Sequence, residues 1–214
     1  MTAWMCGLAL AGVPLLGGQA KVPLAPTAPI ALYSGFEQAP PQAVETALHE
    51  ELDSIMTPLG LRFEWRDLHG ARLEKPAVEL AVVSFKGRCD VSGLVRRAAT
   101  PGPLGWTHIS DGSILPFSDV DCGGIRAFLQ SDLLEIPAAA REAAFGRALA
   151  RVLAHELYHV FADTTRHGSF GIGKEAYSAR DLLENGFRFE NRESKALRNG
   201  KAYGALGKTF APRE

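Results

Sequence analysis

The sequence lacks several features that would point to common functional classes. Its 23 Lys and Arg nearly balance 24 Asp and Glu, giving a net charge of -1. No basic field is therefore available to attract phosphate backbones, and nucleic acid is not expected as a partner. Of three cysteines, Cys6, Cys89 and Cys122, none lies in a CxxC pair, which argues against a structural zinc knuckle. Pro14 interrupts the longest apolar run before it reaches the ~20 residues needed to cross a bilayer, so no stable membrane insertion is expected. No internal repeat is visible. What remains is an ordinary globular composition, 46% hydrophobic and 22% charged over 214 residues, suited to one domain preceded by a short leader.

The first twenty residues carry no charged side chain, and Met5 to Gly18 is apolar before the small-residue ending Gly18-Gln19-Ala20. This pattern predicts a signal peptide over residues 1–20 and a secreted or periplasmic protein. Cleavage would remove Cys6 and leave Cys89 and Cys122, an even count that suits an oxidising compartment and predicts a disulfide. Two reduced, buried thiols are the alternative for a chain kept in the cytoplasm. Pro23, Pro26 and Pro29 make residues 21–29 a Pro-rich linker. The domain is expected over residues 30–190, with a polar arm over 191–214.

Within the domain, Ile30 to Tyr33 reads as a strand. Gln42 to Met56 carries apolar residues at helical spacing and stops at Pro58 and Gly60. Leu61, Phe63 and Trp65 alternate with charged residues as a half-buried strand does, and Val78 to Phe85 is a more continuously apolar strand. Trp106 to Leu115 reads as two extended pieces bent at Asp111-Gly112. Helices follow: Ile125 to Leu134, a long Ala-rich one over Ala138 to Ala162 with Pro137 at its first turn, and Lys174 to Leu183. The order implies an α+β domain with a small mixed sheet backed by helices.

The chemistry sits in His155-Glu156-Leu157-Tyr158-His159, which fits HExxH at every fixed position. Two histidines four apart on a helix project from one face and can converge on one metal ion. Glu156 is then placed to act as catalytic base on a zinc-bound water. Leu149, Leu153, Leu157, Val160 and Phe161 form an apolar stripe that leaves both histidines on another face. Catalytic Zn2+ takes three protein ligands, and His167 is the expected third, beyond a helix end at Asp163-Thr164-Thr165. Glu175 is its main competitor and Glu184 a weaker one. The other histidines carry less: His49 and His69 are expected to be solvated, and His108, in the possible edge strand, is only a minor candidate for lining the cleft. Asp163 and Asp181 are expected either to orient the imidazoles or to cap helices. Tyr158 is expected to pack, and Tyr177 to reach the cleft only if the chain folds it there.

From His155 to His167 the sequence resembles the zincin superfamily of zinc-dependent metallopeptidases, and the strand-helix-strand-strand order before HELYH is similar to the first half of that fold. It is nearest to the metzincin pattern, HExxHxxGxxH, with two departures: Ala162 stands at the glycine position, and the third histidine comes two residues late, at His167. The metzincin Met-turn has no counterpart, since Met1, Met5 and Met56 all precede the motif. The resemblance implies a zincin-like α+β fold with a backing helix and a long active-site helix. It also implies an edge strand, here Leu104 to Leu115, that pairs with a peptide or protein substrate above the metal. The expected activity is a secreted zinc metalloprotease. A non-peptidase zinc amidohydrolase and a non-catalytic zinc-binding protein are the alternatives.

Overall fold

A computed structural model describes residues 30–70, 77–97, 99–100 and 102–200; the expected leader, linker and final residues 201–214 lie outside these. The first strand, β1 (Ile30–Phe36), leads into α1 (Gln42–Met56), whose buried Val44, Leu48, Leu52 and Ile55 recur at helical spacing. A 3-10 turn at Thr57–Leu59 ends on Gly60 and starts β2 (Phe63–Asp67). In β3 (Leu80–Lys86) the buried Ala81, Val83 and Phe85 alternate with more exposed neighbours, so one face of the sheet is covered and the other faces outward.

The hairpin β4 (Gly105–Ser110) and β5 (Ser113–Asp121) turns at Asp111-Gly112, both with positive φ of 50° and 77°. These dihedrals match the turn favoured by strand twist. The second strand runs beyond the expected Leu115 to Asp121 and passes through Pro116. Pairing shifts register there, with Thr107 opposite Ser118 but Ile109 opposite Ile114. The resulting bulge accommodates a residue that cannot donate to the ladder.

Sheet order is β2-β1-β3-β5-β4, parallel except for the β4/β5 pair, so the fold is α+β with a mixed five-stranded sheet. Helices α2 (Cys122–Glu135) and α3 (Ala138–Ala162) follow, α3 with the bounds read from the sequence. It is not a surface helix with one apolar stripe: from Ala148 to Phe161 every residue is buried, because α1, α2, β4, β5 and the two short helices that follow surround it. Gly146 lets α1 approach; a Cβ there would lie 2.3 Å from the Val44 carbonyl oxygen.

Cys89 and Cys122 form the predicted disulfide, with Cα atoms 4.9 Å apart. The bond closes a loop that contains the whole β4/β5 hairpin, a constraint that typically contributes about 2–4 kcal/mol.

Two expectations about the end of the chain change. The helix expected over Lys174 to Leu183 is only α4 (Ala179–Leu183). Ser178 starts it with a capping box to Asp181, and the preceding chain is held extended where Gly168 bridges Lys174. Residues 191–198, expected as the start of a polar arm, form α5 (Asn191–Arg198), which buries Glu193 and Leu197.

Candidate metal centre

His155 and His159 sit one turn apart on α3 and face a cleft of about 650 Å³ between that helix, β4 and the segment after α3. The helix stops at Asp163, which adopts the left-handed conformation (φ 50°) and donates its N–H to the His159 carbonyl. The next ten residues then fold back under the imidazoles. Thr164 O accepts from His159 Nδ1 at 2.7 Å, Ile172 O accepts from His155 Nδ1 at 2.8 Å, and Gly168 N–H donates to Gly173 O at 2.7 Å to close the reversal. That reversal delivers His167. One ligand nitrogen from each of His155, His159 and His167 lies within 4.8 Å of the others, so the three can hold a metal ion. His167, on the exposed side of the cluster, stacks on His155 and meets His159 edge-on.

Protonation makes the arrangement informative. Burial pushes His155 down to about 3 and lowers His159 as well, so both rings are neutral near pH 7. A neutral imidazole has one N–H, and in both rings it sits on Nδ1, committed to a backbone carbonyl. The two Nε2 atoms, 3.0 Å apart, therefore direct lone pairs at each other with no proton between them. A cation relieves that repulsion. The donor set fits a metal that accepts imidazole nitrogen.

Glu156 is buried beside the histidines and lines the same cleft. Burial pushes its carboxyl up to about 7, against a hydrogen bond from Thr107 Oγ1 to Oε2 of 2.8 Å that favours the charged form. A cation on the histidines would lower it again.

Other candidates fall out differently. Glu175 is exposed and lines the cleft wall outside the three-histidine cluster, and Glu184 pairs with Arg180. Asp181 caps α4 and pairs with Lys174 at 2.7 Å, and Asp163 ends α3; backbone carbonyls, not carboxylates, orient the imidazoles. Tyr158 is buried, as expected. Tyr177 does line the cleft, but its hydroxyl bonds the Ile172 carbonyl and lies 3.0 Å from His155 Nδ1, behind the ring. Burial raises its pKa further. His108 does not line the cleft; its Nε2 is 2.6 Å from Asp119 Oδ2. His49 is half-buried rather than solvated, stacked on Trp65 at 4.0 Å. His69 is exposed.

Thr107 and the carbonyls of Thr164 and Ile172 were invisible in the sequence. A carbonyl has no side-chain signature, and Thr107 lies 49 residues from Glu156. The chain matches no protein-family model and no curated protein sequence.

Proposed function

We propose that the protein is a zinc-dependent peptidase, with His155, His159 and His167 as metal ligands and Glu156 as the base. The observation that carries this reading is the pair of Nε2 atoms 3.0 Å apart, each on a ring whose Nδ1 faces a backbone carbonyl, with the Glu156 side chain opening on the same cleft. Three nitrogen ligands with a cleft beyond them suit a catalytic zinc, which keeps a fourth position free; a structural zinc has four protein ligands. Zinc held there would polarise the scissile carbonyl and lower the pKa of water towards ~7. Glu156 removes a proton from the attacking water and returns it to the leaving amine, so both the C–N cleavage and the proton balance close on one residue.

A peptide substrate is supported by the strand beside the cleft. Because Asp121 N–H donates to Leu104 O, alternation along an antiparallel pair turns the N–H and C=O of Gly105 and Thr107 away from β5. They point to the open side of β4, which is the last strand of the sheet, where an extended chain can add. The disulfide supports an exported protein. The cleft volume would also suit a small amide, the main rival reading. Metal analysis of the purified protein, paired with a peptide-library cleavage assay, tests the proposal. Stoichiometric zinc and chelator-sensitive cleavage are expected. Cleavage of small amides with no peptide turned over would move the protein to the rival.

A further inference from the structure

The geometry points to Thr107 as a positioning residue that seats the Glu156 carboxylate against β4, an inference that rests on the hydrolase reading above. Thr107 Oγ1 lies 2.8 Å from Glu156 Oε2, 3.1 Å from the Glu156 carbonyl oxygen and 3.1 Å from Ser118 Oγ. A hydroxyl has one proton, and the two oxygens of Glu156 are acceptors when the side chain is ionised. With the buried Ser118 hydroxyl donating to Thr107, the Thr107 proton has two acceptors on Glu156, of which the carboxylate oxygen Oε2 is the nearer. The other carboxylate oxygen is held by space rather than by a bond. A Cβ on Gly105 would lie 3.0 Å from Glu156 Oε1 and 3.0 Å from Val152 Cγ1, so the strand lies flush against that oxygen only because no side chain intervenes.

Gly105 and Thr107 are two apart and share one face of β4. Their side-chain positions hold both oxygens of the base, while their backbone groups point to the open edge proposed for substrate. The same two residues thus fix the base relative to the chain it acts on. A misplacement of about 1 Å at such a position can cost on the order of 100-fold in rate. A threonine that merely tied β4 to α3 would affect stability and leave turnover per bound substrate unchanged.

The test uses the full chain and a peptide that the wild type cleaves. Thr107→Val keeps the β-branched shape and removes the donor. Its kcat is expected to fall about 10- to 100-fold, with KM and zinc affinity changed by less than about threefold; Thr107→Ser, which keeps the hydroxyl, should recover most of the loss. A Thr107→Val kcat within about threefold of wild type, or Thr107→Ser as impaired as Thr107→Val, overturns the assignment. A second arm needs no turnover: urea midpoints of metal-free Thr107→Val, Glu156→Leu and the double variant. Non-additive midpoints are expected from a direct Thr107–Glu156 contact, and additive ones overturn it. If the wild type cleaves no peptide, the peptidase reading fails and this arm alone decides whether the seat exists.

Discussion

Two regions of α3, one turn apart, bury polar side chains in opposite ways. Arg151, His155 and His159 recur every four residues along the helix. Around Arg151 the polar groups satisfy one another. Its Nε donates to Glu51 Oε1 at 2.9 Å, its NH1 donates to the Asp181 carbonyl at 3.0 Å, and Arg188 reaches the same Glu51 oxygen at 3.3 Å. Charge meets charge, α1 is tied to α3 and to the start of α4, and nothing is left for a ligand. Around His155 and His159 each Nδ1 is satisfied by a carbonyl, while the two Nε2 atoms confront each other. One region is closed and supports the fold. The other leaves two ring nitrogens facing each other and could hold a cation. Burial by itself does not distinguish structure from function; the balance of donors and acceptors does.

The comparison breaks most sharply at Glu156, which belongs to the open region. Glu156→Gln keeps the shape but cannot accept a proton, so hydrolysis should fall about 100- to 10,000-fold while zinc content stays unchanged. Equal turnover by the two proteins would remove the mechanism. In the closed region, Arg151→Ala should leave Glu51 buried with only a partly exposed arginine as partner. The expected loss is about 3–5 kcal/mol of unfolding free energy, with no direct effect on the metal ligands. Chemical denaturation and zinc titration of the same variant check this; a stable variant that has lost zinc would reverse the roles assigned to the two regions.

A finer distinction lies within the open region. Removing a true ligand should weaken zinc binding by more than the ~10–100-fold typical of groups that only orient ligands. His167→Ala should exceed that loss, and Glu175→Ala should stay near wild type in a chelator-competition assay. The opposite pattern would give the third position to Glu175.

The smallest expected effect is on pH dependence. The folded-state pKa of His155 lies below its unfolded value of 6.5, at about 3, because burial disfavours the charged ring. Below pH 6.5 the unfolded chain binds the extra proton and the metal-free fold does not. The contribution is therefore complete above pH 6.5 and is lost progressively as pH falls towards 3, by roughly 2 kcal/mol between pH 7 and pH 5. His159 shifts in the same direction. Urea titrations of metal-free wild type and His155→Gln at the two pH values should show a steeper loss in the wild type; equal slopes would mean that His155 is not buried neutral.

Local pattern alone identified the elements that carry their own period. The bounds of α1 and α3 follow from apolar residues at helical spacing and from Pro137, and the histidines at 155 and 159 from the same spacing. The pairing of Cys89 with Cys122 followed from parity once a leader was assumed. Where the expectation failed, hydrogen bonds and packing that apolar spacing does not report were responsible. Tyr177 is tied to the Ile172 carbonyl and Ser178 caps α4, so the helix expected from Lys174 starts five residues later. The stretch after Glu190 looked too polar to pack, yet α5 turns Leu197 and Glu193 inward.

Which residue types can serve a metal, and which helix presents two of them, is legible in the chain alone, because i and i+4 are neighbours on any α-helix. The chain also supplied the helix-ending residues that free His167 to turn back. It takes the folded chain to bring His167 rather than Glu175 into the cluster, to set the Thr164 and Ile172 carbonyls against the two Nδ1 atoms, and to bring Thr107 to the Glu156 carboxylate. Those choices depend on how a loop closes and on which strand lies at the sheet edge. They are made by loop closure and by contacts across the sheet edge, and no local period encodes them.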